Sequence, residues 1–332
     1  MDFGFTEDQL ALRDAVRAFC REHADLTSVG MREGKPAAPG AWSALAELGV
    51  LGVLVPEDAG GSGLGPVEAA LAFEEFGSHL VSGPVLWSTI TAPLVPEVAS
   101  GTIRVTGREA SPAAGPVVLP HADEADLVVC LHPDRVTVSP RSALLAPLDG
   151  APLDPLTPTA VFASLPDGEV IGDAAAADRL RLLGTVLSAA MLVGGAAGAL
   201  DVARSYALER EQFGVPIGSF QAIKHLLADM YVRLELARAE VYAAAATVAD
   251  PTIGDPHRAV SAAKLLAGEA GMWGARSAVQ ILGGMGFTWD MLPHYYLKRT
   301  WVLENTFGTT KEHSLRLSAE IEAEIEAELE DA

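Results

Sequence analysis

The chain has 332 residues, of which 23 are basic and 44 are acidic, so its formal net charge is −21. This charge argues against nucleic acid and anionic membrane surfaces as partners, because both attract basic patches. Apolar residues make up 49% of a chain that is long enough for two or three domains, which favours a globular protein with a large buried core.

Cysteine and histidine usage gives no sign of a metal centre or of an oxidising compartment. Cys20 and Cys130 are far apart and have no redox spacing, and no His, Cys, Asp or Glu set has the spacing of metal ligands. The N-terminus lacks the basic and apolar regions of a signal peptide, and no uninterrupted apolar run reaches membrane-spanning length. We therefore expect a cytoplasmic protein without a bound metal.

The first hundred residues carry helical patterns separated by turns. Thr6 begins the first helix with capping-box spacing to Gln9. Further helices are predicted over 42–48, 68–77 and 82–95, with a loop over 28–40 and a strand-like run over 52–55. The glycines at 60–63 lack the lysine of a phosphate-binding loop, so we interpret them as a plain turn. We expect an N-terminal helical domain over residues 1–98.

The pattern changes to short β-type runs after residue 99. These runs are separated by Pro, Asp and Gly, which indicates a small β domain over residues 99–175. The predicted strands lie at 103–105, 127–131, 136–138 and 161–163.

Residues 176–332 read as a bundle of helices. Asp255 with Pro256 at the first helical position marks the start of one helix, which glycines end after residue 282. Other helices are predicted over 179–208, 220–248 and 291–307, the last bent near Pro293, and from 313 to the end. The fold class is therefore mainly α with a small β middle domain.

A turn between two of these helices carries a candidate binding motif. Arg210, Gln212 and Phe213 cluster there, followed by Ile217. An arginine can pair with a phosphate in a fixed geometry, and an aromatic side chain beside it can cover an apolar ring system. The alternative is a structural turn in which Phe213 and Ile217 fill the core.

A glycine-rich loop near residue 283 forms a second motif. The run is Gln280-Ile-Leu-Gly283-Gly284-Met-Gly286-Phe. By itself a Gly-Gly-x-Gly run is an ordinary helix stop. Its glycines would also let the backbone approach a ligand closely, and Gln280 could hydrogen-bond to that ligand.

Together the two motifs resemble those of the flavin-dependent acyl-CoA dehydrogenases, with the pattern Arg-x-x-Phe-Gly-x-x-Ile…Phe-Gln…Leu-Ala-Asp-Met. Pro-Glu-x-x-Gly-Gly followed by Glu-Glu-Phe-Gly is similar to the family's N-terminal domain. The resemblance implies FAD as cofactor, an N-terminal helical domain, a β domain and a C-terminal four-helix bundle that mediates oligomerisation. The residues that it assigns to the FAD adenosine side are Arg210, Gln212, Phe213, Ile217, Gln280, Gly283, Gly284 and Thr309.

The family's catalytic base is missing from both positions where the resemblance would put it. In this family a glutamate removes the α-proton of an acyl-CoA while the β-hydrogen passes to the flavin as hydride. Phe307 stands at the commoner base position and Gly184 at the minority one. Asp178 and Glu304 are reserve candidates. The β domain is also short, and it lacks the family's Thr-Glu-Pro-x-x-Gly-Ser-Asp signature for the flavin ring.

These two departures suggest a division of labour between subunits. The run from Gly286 to Arg299 resembles that of actinobacterial heteromeric (α2β2) dehydrogenases of steroid side-chain degradation. The resemblance implies a catalytic sister subunit that supplies the glutamate, a bulky acyl-CoA substrate and an electron-transferring flavoprotein as acceptor. The alternatives are a self-sufficient homotetramer with a relocated base, or a scaffold subunit that has lost flavin.

Overall fold

The computed structural model describes residues 4–35, 39–110, 115–148 and 150–330. Its N-terminal part is helical, as predicted, and the capping box between Thr6 and Gln9 is present. Residues Leu26–Arg32 form a 3₁₀ helix that Asp25 caps, so the first part of the loop predicted over 28–40 is helical. Part of that predicted loop, residues 36–38, lies outside the described residues. The α-helices of this part are α1 (Glu7–His23), α2 (Pro39–Glu47), α3 (Pro66–Ser78) and α4 (Val85–Thr91).

Two predictions for this part were wrong. Residues 52–55 form tight turns and not a strand, because Val53 and Val55 donate their backbone hydrogen bonds three residues back along the chain. Their β-branched side chains are buried against the helices instead. The helix predicted over 82–95 is reduced to α4, because Pro84 precedes it and the chain turns again before Pro96.

The β region contains two small sheets. In the larger sheet the strand order is β1-β3-β4-β6, with β1 parallel to β3 and the other pairs antiparallel, and β2 pairs with β5 in the smaller sheet. The strands β2 and β6 were not predicted. The strands are β1 (Val105–Glu109), β2 (Val117–Pro120), β3 (Leu127–Leu131), β4 (Val136–Pro140), β5 (Thr159–Phe162) and β6 (Glu169–Gly172).

The C-terminal part is the predicted helical bundle. Asp255 caps α7, and Gly283 ends it with a φ of 61°. Pro293 begins α8 and does not bend it, because a proline in the first turn of a helix lacks only an N–H that has no partner there. The elements are α5 (Ala174–Glu209), the hairpin strands β7 (Glu211–Gln212) and β8 (Val215–Pro216), α6 (Gln221–Ala249), α7 (Pro256–Leu282), α8 (Pro293–Glu304) and α9 (Thr310–Glu330).

Helix α5 is the central element of the core. It is long and apolar enough to cross a membrane, but 94% of its most apolar window is buried inside the protein, as in a core helix. It crosses α3 at very short range: a Cβ on Gly194 would overlap the Glu74 carbonyl, and one on Gly77 would overlap the Met191 carbonyl. Glycine at both positions therefore permits the backbones to touch.

A buried ion pair joins α8 to two other parts of the chain. One is the segment before α4, and the other is the segment between β4 and β5. The Arg299 Nε lies 2.5 Å from Asp154 Oδ2, and its other nitrogens donate to the carbonyls of Val81 and Leu156. Asp154 is fully buried and also accepts a hydrogen bond from Thr157. Arg299 thus binds together three parts of the chain that are remote in sequence.

Candidate functional site

The structure brings the two predicted base positions into direct contact. Phe307 is buried, and its ring lies against the backbone of Gly184 in the middle of α5. A Cβ on Gly184 would overlap three carbons of that ring. The aromatic side chain therefore fills the space that a side chain at either position would share, and neither residue can accept a proton.

Trp87 of α4 covers the other side of the ring. The Trp87 and Phe307 ring centroids are 4.9 Å apart, with the planes tilted by 33°. Beside Trp87 is a cavity of about 60 Å³, whose wall includes Met191 and Arg299. That volume holds a few water molecules at most.

Two buried side chains hold the segment that carries Phe307. Lys264 of α7 donates to the carbonyls of Leu303 and Thr306 at 2.6 and 2.7 Å, and its third contact is Ser188 Oγ at 3.2 Å. Burial lowers the pKa of Lys264 to about 7. These carbonyls lie at the end of α8, where helix carbonyls lack intrahelical partners, so Lys264 caps that helix end from a neighbouring helix.

His313 of α9 fixes the backbone of Phe307 itself. Its Nε2 lies 2.9 Å from the Phe307 carbonyl oxygen, and Ser261 Oγ lies 3.2 Å from its Nδ1. Burial lowers the pKa of His313 to about 4, so the ring is neutral and Nε2 carries its single proton. Phe307 has a φ of 57°, a strained value that this hydrogen bond helps to maintain.

Both reserve carboxylates are engaged in structural contacts. Glu304 accepts hydrogen bonds from the backbone N–H and the hydroxyl of Thr310, at 2.7 and 2.8 Å, and so caps α9. Asp178 is half exposed and pairs with His257 Nε2 at 3.3 Å. Neither lies in the wall of the cavity beside Trp87.

Substituting Gly184 tests how tightly the Phe307 ring fills this space. Gly184→Ala should lower the free energy of unfolding by about 1–3 kcal/mol through overpacking, although alanine favours the helix. Gly195→Ala is a matched control on α5, because a Cβ there meets no atom within 4 Å. It should be neutral or stabilising. In a Phe307→Leu background Gly184→Ala should cost much less; an undiminished cost in urea unfolding would contradict this packing.

The turn motif is presented to solvent. Phe213 lies in the hairpin between β7 and β8, has a φ of 56° and is 94% exposed. Its ring stands edge-on to the ring of Phe220, with the two centroids 6.2 Å apart. The structural alternative is therefore wrong for Phe213, whereas Ile217 is half buried and does pack against the C-terminal core. Arg210 and Gln212 are exposed, and Arg210 has no ion-pair partner among the described residues.

The glycine loop is also open. Gln280, Gly283 and Gly284 are exposed, and a Cβ on either glycine would meet no atom within 4 Å. Thr309 is half buried and its side chain pairs with Glu312. Within the described chain no hydrogen bond, ion pair or ring contact joins this loop to the Arg210–Phe213 turn. Both motifs are thus exposed and open to a ligand.

Three residues of this region had no sequence signal that we used. These residues are Trp87, Lys264 and His313, and all three lie in predicted helices. In such a pattern a lysine or histidine is ordinarily taken for a surface residue, and a tryptophan for a core residue. The expected absence of a bound metal is not tested by the structure, and no His, Cys, Asp or Glu group with metal-binding geometry occurs among the described residues.

Sequence profiles of one family match most of the chain. The acyl-CoA dehydrogenase N-terminal domain matches residues 6–103, and the acyl-CoA dehydrogenase C-terminal domain matches residues 182–321. IpdE2 of Mycolicibacterium smegmatis, named an acyl-CoA dehydrogenase, is 30% identical over 95% of this chain and 99% of its own length. FadE34 of Mycobacterium tuberculosis is 34% identical over 95% of this chain, which spans about half of that longer relative (48%).

Solved structures show the same fold. A variant of the Tcur3481–Tcur3483 steroid acyl-CoA dehydrogenase superposes with a TM-score of 0.83 at 25% identity, covering 97% of this chain and 99% of that one. The ChsE4–ChsE5 complex of Mycobacterium tuberculosis gives 0.80 at 23% identity, with the same coverage. From its two matched domains and its full-length relatives, the chain belongs to the acyl-CoA dehydrogenase family, FAD-dependent oxidoreductases that act on CH–CH groups.

Proposed function

We propose that this chain is the non-catalytic subunit of a heteromeric acyl-CoA dehydrogenase that oxidises a bulky, steroid-derived CoA thioester. In this proposal the chain contacts the adenosine side of FAD, and a sister subunit supplies the flavin-ring pocket and the glutamate base. The steroid substrate class and the two-subunit assembly are suggested by the names of the steroid dehydrogenase and of the ChsE4–ChsE5 complex.

The contact between Phe307 and Gly184 is the observation that carries the proposal. A base must sit over the substrate α-carbon with an open path to it. Here the shared space is filled by an aromatic ring that lies between α5 and Trp87. Restoring a base at either position would require removal of that ring. The two reserve carboxylates are engaged elsewhere, because Glu304 caps α9 and Asp178 pairs with His257.

The exposed motifs fit the adenosine and pyrophosphate part of FAD. Arg210 offers an unpaired guanidinium to a phosphate, and Phe213 offers a ring face that nothing in the described chain covers. Gly283 and Gly284 leave open space over their backbone. FAD supplies the hydride acceptor of the family's reaction, while these four residues would bind and orient its distant half.

The flavin ring does not fit the space beside Phe307 and Trp87 in this chain. The cavity of about 60 Å³ beside Trp87 is far too small for a three-ring system. Because the described residues offer an exposed surface for the adenosine part but no room for the ring beside Phe307, we infer that the FAD belongs to a site completed by the sister subunit. The homotetramer alternative needs a ring pocket in every chain and is therefore less well supported.

Flavin stoichiometry tests this proposal directly. Co-expression with a candidate sister subunit should give a complex that holds one FAD per heterodimer, measured by flavin absorbance against protein concentration. Mutating the sister's glutamate to glutamine should abolish dehydrogenation of the acyl-CoA. Glu304→Gln and Asp178→Asn in this chain should leave the turnover number unchanged.

Several outcomes would contradict the division of labour. One is full activity of the purified chain alone; another is two FAD per heterodimer. Loss of activity in Asp178→Asn or Glu304→Gln, with the complex intact by gel filtration, would instead support a relocated base. We also expect an electron-transferring flavoprotein as the electron acceptor and the cytoplasm as the location of the complex.

A further inference from the structure

The N-terminal helices enclose a second and larger cavity. Its volume is about 630 Å³, within the range of roughly 300–1,000 Å³ that is typical of small-molecule sites. It lies between α1, the 3₁₀ helix Leu26–Arg32 and α2, and it shares only Val81 with the small cavity beside Trp87. It is therefore distinct from the region of Phe307.

One part of the wall is apolar. Phe19 of α1, Met31 of the 3₁₀ helix, and Trp42 and Leu45 of α2 face the cavity. The hydroxyl groups of Ser28 and Ser82 also line it, but both donate to backbone carbonyls. This surface offers little to a nucleotide base, which needs free donors and acceptors, and suits a hydrocarbon body.

The rest of the wall is basic. Arg32, Lys35 and Arg104 line the cavity together with His23, and none of the described lining residues is acidic. This local excess of basic side chains contrasts with the whole chain, which has 44 acidic and 23 basic residues. Arg104 lies 4.9 Å above the Trp42 ring, and its only carboxylate neighbour among the described ion pairs is Glu124 at 4.0 Å.

One nitrogen of the Arg32 guanidinium has no hydrogen-bond partner in the described structure. Its terminal nitrogens donate to the carbonyls of Leu80 and Ala24, but its Nε is buried without a partner in the described structure. Burial and the nearby charge of Arg299 lower its pKa, and Asp25 acts in the opposite direction. The guanidinium nevertheless stays charged at neutral pH, so an anion in the cavity would offset a costly buried charge.

We propose that this cavity binds a bulky apolar carboxylic acid, with the carboxylate at Arg32 and Lys35 and the hydrocarbon body against Trp42 and Phe19. A single anionic group on an apolar body matches a wall that is half basic and half apolar. A free carboxylate fits better than a CoA thioester, because esterification removes the charge next to the hydrocarbon.

Calorimetric titration of the full-length chain tests the proposal with three probes that share one body: cholate, its methyl ester and its CoA thioester. Cholate, used below its micellar concentration, should bind one molecule per chain. The methyl ester and the thioester should each bind at least about ten-fold more weakly, because they lack the charge-assisted contacts.

Charge-removing variants locate the binding site. Lys35→Gln and Arg32→Gln should each weaken cholate binding about ten-fold and leave methyl ester binding unchanged. Lys35 is exposed, so its variant should fold even where Arg32→Gln does not. Arg21→Gln is the matched control, because Arg21 is exposed at the end of α1 and does not line the cavity.

The proposal is overturned if cholate and its methyl ester bind equally, or if no probe binds. It is also overturned if Arg21→Gln weakens binding as much as Lys35→Gln, since the effect would then be one of overall charge. Tighter binding of the thioester than of cholate would assign the cavity to an acyl-CoA and would also reject a carboxylate site.

Discussion

Replacing Arg210 with alanine should strip most of the FAD from the assembled complex. A charge-assisted hydrogen bond to a phosphate contributes about 1.5–3 kcal/mol, which corresponds to a roughly ten- to hundred-fold weaker affinity. Arg210 is exposed and unpaired in the described chain, so its removal should not affect folding. FAD retained after gel filtration, with the dissociation constant from flavin fluorescence, measures the effect.

Phe213→Gly distinguishes a role of the ring in FAD binding from a role in folding, because the substitution should lower FAD affinity without lowering stability. The φ of 56° at Phe213 is strained for phenylalanine and easy for glycine, so stability should be unchanged or rise by up to about 1 kcal/mol. FAD affinity should fall, since the ring face is lost. Leu208→Ser, at another exposed apolar residue, is the control and should retain flavin. Unchanged flavin content in both Arg210→Ala and Phe213→Gly would favour the flavin-free scaffold.

Replacing Arg299 with methionine should be the most destabilising of the substitutions considered. It leaves the fully buried carboxylate of Asp154 without its cation, a change that typically costs about 3–5 kcal/mol. It also removes the Arg299 hydrogen bond from the Val81 carbonyl and one of the two side-chain donors, Arg299 and Ser82, from the Leu156 carbonyl. Urea unfolding measures the loss. Arg258→Met breaks an exposed pair with Glu324 and should cost less than about 1 kcal/mol.

The Arg299–Asp154 ion pair also predicts how the stability of the fold changes in acid. Burial alone would raise the pKa of Asp154, but Arg299 and the hydrogen bonds from Thr157 and Leu156 outweigh it, so the pKa lies below its usual value. A lowered folded-state pKa gives stability that is present above the unfolded pKa of about 3.9 and is lost as the pH falls through the folded value. Arg299→Met should therefore weaken the dependence of stability on pH below about 4. An unaltered acid unfolding curve would contradict this coupling.

The parts of the fold that follow from periodicity were predictable. The apolar stripe of α6 and the Asp255–Pro256 start of α7 are local signals, and the structure confirms both. The run at 52–55 misled because Val53 and Val55 have strand-like side chains, while their burial against helices is a tertiary effect. The lengths of α4 and α8 depended on Pro84 and Pro293, whose exact structural effect was not evident from the pattern.

The candidate site was predictable only in its parts. Family spacing indicated Phe307 and Gly184 separately, but their contact depends on how α5 meets the segment after α8. Lys264 could not be recognised, because a lysine in an amphipathic helix is ordinarily at the surface. Its burial is explained by carbonyls at the end of α8, which no local window of sequence contains. The assignments of the FAD-binding residues stay predictions.

The close fit of Phe307 into Gly184 and Trp87 has an evolutionary consequence. A single reversion to glutamate at 307 would put a carboxylate in a dry, aromatic space with almost no cavity, so it would cost stability without giving a working base. A side chain at 184 is equally obstructed while the ring is present. Each single substitution that introduces a carboxylate at 307 or 184 should therefore be selected against, so we expect this packing to persist once it has formed.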